Sequence, residues 1–155
     1  HRLGEGQSRE ASVRTAWIKP YLAAAVIFGA FDFVWLTQVA QPLYEAELGD
    51  LLAQSPNLPA AAAFYLIYIG GITYFATSPA IRAGSARQAL LSGAVLGFVA
   101  YSTWVLTNLA VLNGFTPLVM VDLIWGTVAT SAAAGLTYSL FRPDSPRDHK
   151  PRSEQ

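Results

Sequence analysis

The sequence has no cysteine and few charged residues, and both shortages limit what the protein can be. Without cysteine, disulfides, thiolate nucleophiles, iron–sulfur clusters and cysteine-ligated zinc are excluded. The two histidines, His1 and His149, lie in polar tails, so we expect neither a metal nor a cofactor among the apolar segments. Charged residues make up 13% of the chain, whereas soluble domains carry about a quarter. With 53% hydrophobic residues in 155, the composition indicates a single membrane domain.

Four long apolar stretches follow one another along the chain. They cover about residues 20–40, 59–78, 88–112 and 118–141. Each reaches the roughly 20 residues that an α-helix needs to cross about 30 Å of hydrocarbon. Helices are favoured over strands because every backbone amide must be paired inside the bilayer. The sequence therefore predicts an all-α, integral membrane four-helix bundle at residues 20–141, between polar tails at residues 1–19 and 142–155.

The basic residues indicate how these segments are oriented. All ten Lys and Arg fall before the first span, between the second and third, or after the fourth. The loop between the first two spans instead carries Glu45, Glu47 and Asp50. Because basic loops stay on the cytoplasmic side, both termini and the middle loop are predicted to be cytoplasmic. The formal net charge of zero indicates no nucleic-acid partner, so the expected surroundings are the lipid bilayer.

The first external loop, residues 41–58, carries a short helical pattern. Pro42 suits the first turn of a helix, and four leucines can share one face. That face carries Leu43, Leu48, Leu51 and Leu52. We therefore predict an interfacial helix from Pro42 to about Ala53 that lies along the outer membrane surface. The alternative is that this segment is a lid over a site beneath it.

Two acids and one amide lie inside the predicted spans. They are Asp32 in the first span, Asn108 in the third and Asp122 in the fourth. A charged residue near the centre of a span costs at least about 2.5 kcal/mol, so such residues usually face the bundle and are candidates for function. Each of the three has a tryptophan one turn away on the same helix face, namely Trp35, Trp104 and Trp125.

These side chains come to similar depths in the outer half of the bundle, at a rise of about 1.5 Å per residue. Tyr65 of the second span falls at the same level. The sequence therefore predicts a polar binding pocket with aromatic walls, made of Asp32, Asn108, Asp122, Trp35, Trp104, Trp125 and Tyr65. Structural roles stay open as alternatives: a tryptophan belt at the headgroups, an interhelical bond for Asn108, or a helix cap for Asp122.

Three sequence motifs are shared with a known group of proteins. They are AAFYLIYIGG at Ala62–Gly71, LTNLAVL at Leu106–Leu112 and VDLIWG at Val121–Gly126. Together they resemble the small bacterial membrane proteins of domain of unknown function family 2177, over about Tyr21–Phe141. The resemblance implies a four-helix fold in the bacterial cytoplasmic (inner) membrane and no particular reaction. In that family an aspartate often lies three residues before the Asn of LTN, where this chain has Val105, so an activity needing three acids is in doubt here.

Three functions are compatible with the sequence. The favoured one is a non-enzymatic accessory or scaffold subunit of a larger assembly, with membrane-protein partners or a homo-oligomer, because Gly93 and Gly97 suit close helix packing. The second is a small proton-linked transporter with Asp32 as the titrating group. The third is a lipid-acting enzyme with Asp32 and Asp122 as an acid/base pair. The enzyme ranks last because no set of nucleophile, base and orienting group is visible.

Overall fold

The computed structural model describes residue 6 and residues 16–53 and 55–143. Within them, helices are joined by short turns and no strand is present. Helix α1 (Ile18–Trp35) continues through a π-helical turn, Leu36–Ala40, into α2 (Gln41–Leu48). The helices that follow are α3 (Leu58–Ile72), α4 (Ser78–Ala83), α5 (Ala86–Val111) and α6 (Met120–Phe141), with a second π-helical turn at Thr73–Thr77 between α3 and α4.

Three helical segments in the described part of the chain are long and apolar enough to cross a membrane. They are Ile18–Leu51, Leu58–Ala83 and Ala86–Val111. The 22 residues of α6 are not among them, since Asp122 and several Thr and Ser side chains lower its mean hydropathy. The all-α prediction is therefore confirmed, whereas the fourth span stays a prediction. The predicted polar tails lie largely outside the described residues.

Short polar residues start the helices where the sequence changes from turn to apolar run. The Asn57 side chain accepts a hydrogen bond from the Ala60 amide at 3.1 Å and so caps α3. Ser85 caps α5 in the same way by accepting from the Gln88 amide at 3.1 Å. Between α4 and α5, Gly84 has φ 64°, a left-handed conformation that glycine adopts without a steric cost. These caps satisfy backbone amides that the helices themselves leave unpaired.

The closest packing in the fold is between α5 and α6. A Cβ atom on Gly97 would fall on the backbone carbonyl of Gly126 and 2.9 Å from the Cβ of Thr130. A Cβ on Gly93 would lie 2.9 Å from the Cβ of Ala134. Gly93 and Gly97, which suggested a face for binding partner proteins, therefore pack against α6 of the same chain and let these two helices approach closely.

The helices form a ring in which one side is incompletely closed. Helix α1 packs against α6 and α3, and α6 packs along α5. Helix α3 reaches α5 mainly through the π-helical turn Thr73–Thr77, whereas residues such as Tyr65 and Tyr68 in its middle contact α1. Phe28 of α1 and Ile72 of α3 are fully buried in the core of the ring. The Leu58 end of α3 is thus separated from α5, and this gap adjoins the site described below.

Helix α2 packs across the turn between α5 and α6. The backbone amide of Thr116 donates to Glu47 Oε2 at 3.0 Å, and the Tyr44 ring lies 5.9 Å from that of Phe115. The packed face therefore carries Tyr44, Glu47 and Leu48, while Leu51 is 74% exposed. The single leucine face was a wrong expectation, because the helix ends at Leu48 and the chain turns at Gly49. A helix forms here, but its position at the membrane interface stays a prediction.

Candidate functional site

Asp122 lies at the centre of a hydrogen-bond network that joins three helices and α2. It is 7% exposed. The Trp35 indole N–H donates to its Oδ1 at 3.2 Å, and the Tyr44 hydroxyl donates to its Oδ2 at 2.6 Å. The Trp104 indole N–H in turn donates to the Tyr44 hydroxyl oxygen at 3.0 Å. The carboxyl group of Asp122 thus ties α6 to α1 and α2, and through Tyr44 to α5.

Asp32 occupies a second, adjoining position and is 5% exposed. The Tyr65 hydroxyl of α3 donates a hydrogen bond to its Oδ2. The indole N–H of Trp125 faces Asp32 without a hydrogen bond of good geometry. Trp125 stacks on Trp35 with ring centroids 4.8 Å apart and an interplanar angle of 2°. Since Trp35 is bonded to Asp122, this stacked pair lies between the two acids and connects them.

A cavity of about 410 Å³ opens beside the two acids and is mostly apolar. Its polar and aromatic lining includes Asp32, Trp35, Tyr65, Tyr101, Trp104 and Asp122. Tyr68 borders the layer below: its hydroxyl is 2.6 Å from Thr130 Oγ1 and its ring lies edge-on to Tyr101 at 6.2 Å. No Lys, Arg or His belongs to this lining within the described residues.

Asn108 makes its side-chain hydrogen bond within its own helix. Its side-chain amide donates to the Trp104 backbone carbonyl at 2.8 Å, one turn back in the same helix. Of the predicted pocket residues, Asn108 and Trp125 do not belong to the lining of the described cavity, and Trp125 instead stacks on Trp35. Val105, not Asn108, is the fully buried residue on this part of α5. The carbonyl four residues back offers the amide a local partner, which removes its need to face the acids.

The geometry answers the structural alternatives for Asp122 and the tryptophans in part. Helix α6 begins after Val119 without a side-chain cap, and the two hydrogen bonds to Asp122 come from Trp35 and Tyr44. Asp122 therefore caps no backbone amide, although it lies in the first turn of α6, where a negative charge is favoured. Trp104 is 49% exposed and so is compatible with a headgroup belt. Trp35 and Trp125, which stack on each other beside the acids, are not.

Besides the apolar lining residues Leu36, Ala61, Phe64 and Ala100, two tyrosines of the site were not found by sequence reasoning. Tyr44 was treated as part of a surface helix, and Tyr101 was not singled out, although its ring covers Gly126. The π-helical turn Leu36–Ala40 explains the first omission. One extra residue in a helix rotates all later side chains by about 100°. The one signal in the sequence that could have indicated Tyr44 is its position next to Glu45, which places a tyrosine hydroxyl near an acid in the predicted external loop.

The chemistry of this site is that of carboxyl groups held by neutral donors. Each recorded hydrogen bond to either acid comes from a tyrosine hydroxyl or an indole N–H. Among the described residues, no three His, Cys, Asp or Glu side chains gather as metal ligands do. The arrangement can take up or release a proton and can offer two carboxyl groups and aromatic faces to a bound molecule.

An all-helical chain with three membrane-length helices and a buried acid pair is an integral membrane protein. The chain matches the family described as "Predicted membrane protein (DUF2177)" over residues 17–139. It belongs to that family, and the resemblance found in the three motifs is confirmed. No curated protein and no solved structure matches the chain. The family description names no reaction, so function has to be argued from the site.

Proposed function

We propose that the chain crosses the bacterial cytoplasmic membrane four times, with both ends in the cytoplasm. The spans are α1, α3 with α4, α5 and α6, and α2 lies on the external side. Support comes from the basic residues: Lys19 precedes the apolar part of α1, Arg82 and Arg87 flank the turn between α4 and α5, and Arg142 follows α6. Positive charge is retained on the cytoplasmic side of a membrane.

Reporter fusions test this topology directly. Fusions at Asn57 and Asn113 should read external, and a fusion at Gly84 should read internal, because only the Gly84 turn is flanked by arginines. A fusion at Arg142 is the control for α6 and should also read internal. An external reading at Gly84 would overturn the orientation, and an external reading at Arg142 would mean that α6 does not cross.

We propose further that the protein binds an amphiphilic molecule in the cavity and exchanges a proton at Asp32, as a small proton-linked transporter does. One observation carries this proposal: acids from two different helices border one aromatic-walled cavity and receive only neutral donors. Ligand sites typically measure about 300–1,000 Å³, and this cavity of about 410 Å³ is within that range. Four spans make a thin bundle for alternating access, so the transporting unit is proposed to be a homodimer.

The accessory-subunit hypothesis has less support than it had from sequence. Its main argument was the face formed by Gly93 and Gly97, and α6 occupies that face. An assembly role would need another surface, such as the exposed rings of Tyr74 and Phe75, which lipid covers equally well. The lipid-acting enzyme is not favoured either. Each acid accepts a hydrogen bond from a tyrosine hydroxyl that it could activate, but no Lys, Arg or His of the described lining is available to stabilise a developing negative charge.

Filling the cavity tests whether it is a binding site. In purified protein, energy transfer from tryptophan to the neutral fluorescent amphiphile N-phenyl-1-naphthylamine should saturate, because Trp35 and Trp104 line the cavity. Ala100→Trp and Ala61→Trp should each weaken this binding by about tenfold or more, since both alanines line the cavity. Ala63→Trp, on the exposed opposite side of α3, is the matched control.

Circular dichroism establishes that each of these variants retains its helices before binding is compared. Binding that does not saturate in the native protein would contradict the proposal. Equal affinity in the Ala61, Ala100 and Ala63 variants would show that the amphiphile binds elsewhere on the protein or in the micelle.

A further inference from the structure

The cavity opens sideways through the gap between α3 and α5. Ala61 and Phe64 border the cavity from α3, and Ala100 and Trp104 border it from α5. The backbones of these two helices come close mainly at Thr73–Thr77, and the rings of Tyr68 and Tyr101 meet just below the cavity. Phe64 is 46% exposed and Trp104 is 49% exposed, so the rings at the opening are not covered by other parts of the described chain. In the proposed topology this opening faces the hydrocarbon of the outer leaflet.

An opening of this kind selects for molecules that are dissolved in the bilayer. Ala61 and Ala100 have small side chains, which leave room between the helices for an apolar chain or a flat ring. The aromatic rings beyond them provide apolar walls. A water-soluble, multiply charged molecule would have to lose its hydration to enter by this route, at a large energetic cost.

The inner end of the cavity selects for a positively charged head. Asp32 and Asp122 both line it, and no basic residue of the described lining balances them. Cations are attracted to the faces of tryptophan and tyrosine within about 6 Å, and Trp35, Trp104 and Tyr101 are part of the wall. An anionic head would meet two acids without a compensating donor of positive charge. A neutral head would gain neither the attraction of the two acids nor that of the aromatic faces for a cation.

We propose, on the basis of the cavity function argued above, that the ligand is a lipophilic monocation that enters from the bilayer between α3 and α5. Its apolar body contacts the aromatic walls, and its amine or quaternary ammonium head binds beside Asp32 and Asp122. This assigns both the chemical class of the ligand and the route by which it reaches the site.

Proton balance follows from the same geometry. In the proposed exchange the empty, buried Asp32 holds a proton, and the arriving cation replaces that proton, which leaves to solvent. The groups that face Asp32 are Tyr65 and Tyr68 from α3, Tyr101 from α5 and Asp122 from α6. None of them carries a positive charge that could replace the cation. Because proton and cation compete, cation affinity should rise by up to about tenfold per pH unit.

A pair of ions of similar shape and opposite charge tests the ligand class. Tetraphenylphosphonium should displace N-phenyl-1-naphthylamine from the cavity at about tenfold lower concentration than tetraphenylborate does. Asp32→Asn should weaken displacement by the cation about tenfold relative to displacement by tetraphenylborate, and circular dichroism establishes that the variant keeps its helices. Equal displacement by both ions, or a cation affinity unaffected by Asp32→Asn, would overturn the ligand class. Saturable binding of the neutral probe would still support the cavity function, so the two failures are distinguishable.

The absence of cysteine in the sequence allows a clean test of the route. Ala61→Cys and Ala100→Cys place one thiol on each side of the opening, and a cleavable bis-maleimide linker can join them. The joined protein should bind and release tetraphenylphosphonium at least about tenfold more slowly, and cleavage of the linker should restore the rate. Ala61→Cys alone, treated with the same reagent, is the control. Unchanged rates in the joined protein would show that the cation enters elsewhere, which would overturn the lateral route.

Discussion

Gly97→Ala is expected to lower the free energy of unfolding by about 1–3 kcal/mol, the usual cost of overpacking a close interface. A methyl group at this position meets the backbone carbonyl of Gly126, which cannot rotate away as a flexible side chain does. It also comes within 2.9 Å of Thr130 Cβ and Oγ1. Helices α5 and α6 must therefore separate. Reversible unfolding in mixed detergent micelles measures the loss.

Gly29→Ala is the matched control for this substitution. A Cβ atom at Gly29 meets nothing within 4 Å, and alanine is a better helix former than glycine by about 1 kcal/mol. The control should therefore be neutral or slightly stabilising. If Gly97→Ala were also neutral in the isolated protein, α5 and α6 would not be packed as described. The glycine face would again be available to a partner, as the accessory-subunit hypothesis requires.

Asp32→Asn is expected to remove proton release on ligand binding while leaving the fold intact. An asparagine oxygen can still accept from the Tyr65 hydroxyl, so the helices keep their connection. The amide cannot hold or release a proton, so tetraphenylphosphonium binding should no longer acidify a weakly buffered solution. The native protein should release about one proton per cation bound, by the linkage argued above. A pH-sensitive dye measures both.

Asp32→Leu separates the structural role of this residue from its chemical one. Leucine leaves the Tyr65 hydroxyl without its acceptor, which costs about 1–3 kcal/mol when the group is buried. If Asp32 faced lipid, leucine would be tolerated or stabilising. Asp32 is 5% exposed, so a loss of stability is expected. Proton release that persists in Asp32→Asn would assign the exchange to another group, with Asp122 the nearest candidate.

Much of the helical framework could be predicted because it depends on local sequence. Apolar runs at residues 20–40 and 88–112 correspond to α1 with its π-helical turn and to α5. The length of hydrocarbon that a helix must cross leaves little freedom in such segments. The break between α3 and α4 was not predicted, because the second span at residues 59–78 was treated as regular helix throughout. Thr73–Thr77 is π-helical instead, and this turn is where α3 reaches α5.

The candidate site was only partly predictable because its details depend on how the helices rotate and pack. Matching depths along straight helices brought Asp32, Tyr65 and Asp122 to neighbouring levels, and these three line one cavity. Depth carries no information about rotation, so Asn108 was included although it bonds its own backbone. Tyr44 was missed because the π-helical turn before α2 changes the direction in which all later side chains of this helix point.

Tyr44 makes α2 part of the site rather than a separate surface element. Its hydroxyl donates to Asp122 and accepts from Trp104, so moving α2 would break both hydrogen bonds. Glu47 on the same helix accepts a hydrogen bond from the Thr116 backbone amide and so ties α2 to the turn between α5 and α6. These contacts join α2 to the site, as the lid alternative requires.

Carbodiimide labelling tests the central claim, a protonated acid in a cavity that is open to lipid. The apolar reagent dicyclohexylcarbodiimide reacts with protonated carboxyl groups in apolar surroundings, and mass spectrometry locates the product. We expect Asp32 to be labelled in the native protein, and saturating tetraphenylphosphonium to protect it. The exposed Glu45 serves as the internal control and should stay unlabelled with or without the cation, because it does not lie in apolar surroundings. An unlabelled Asp32, or labelling that the cation does not change, would contradict this account of the site.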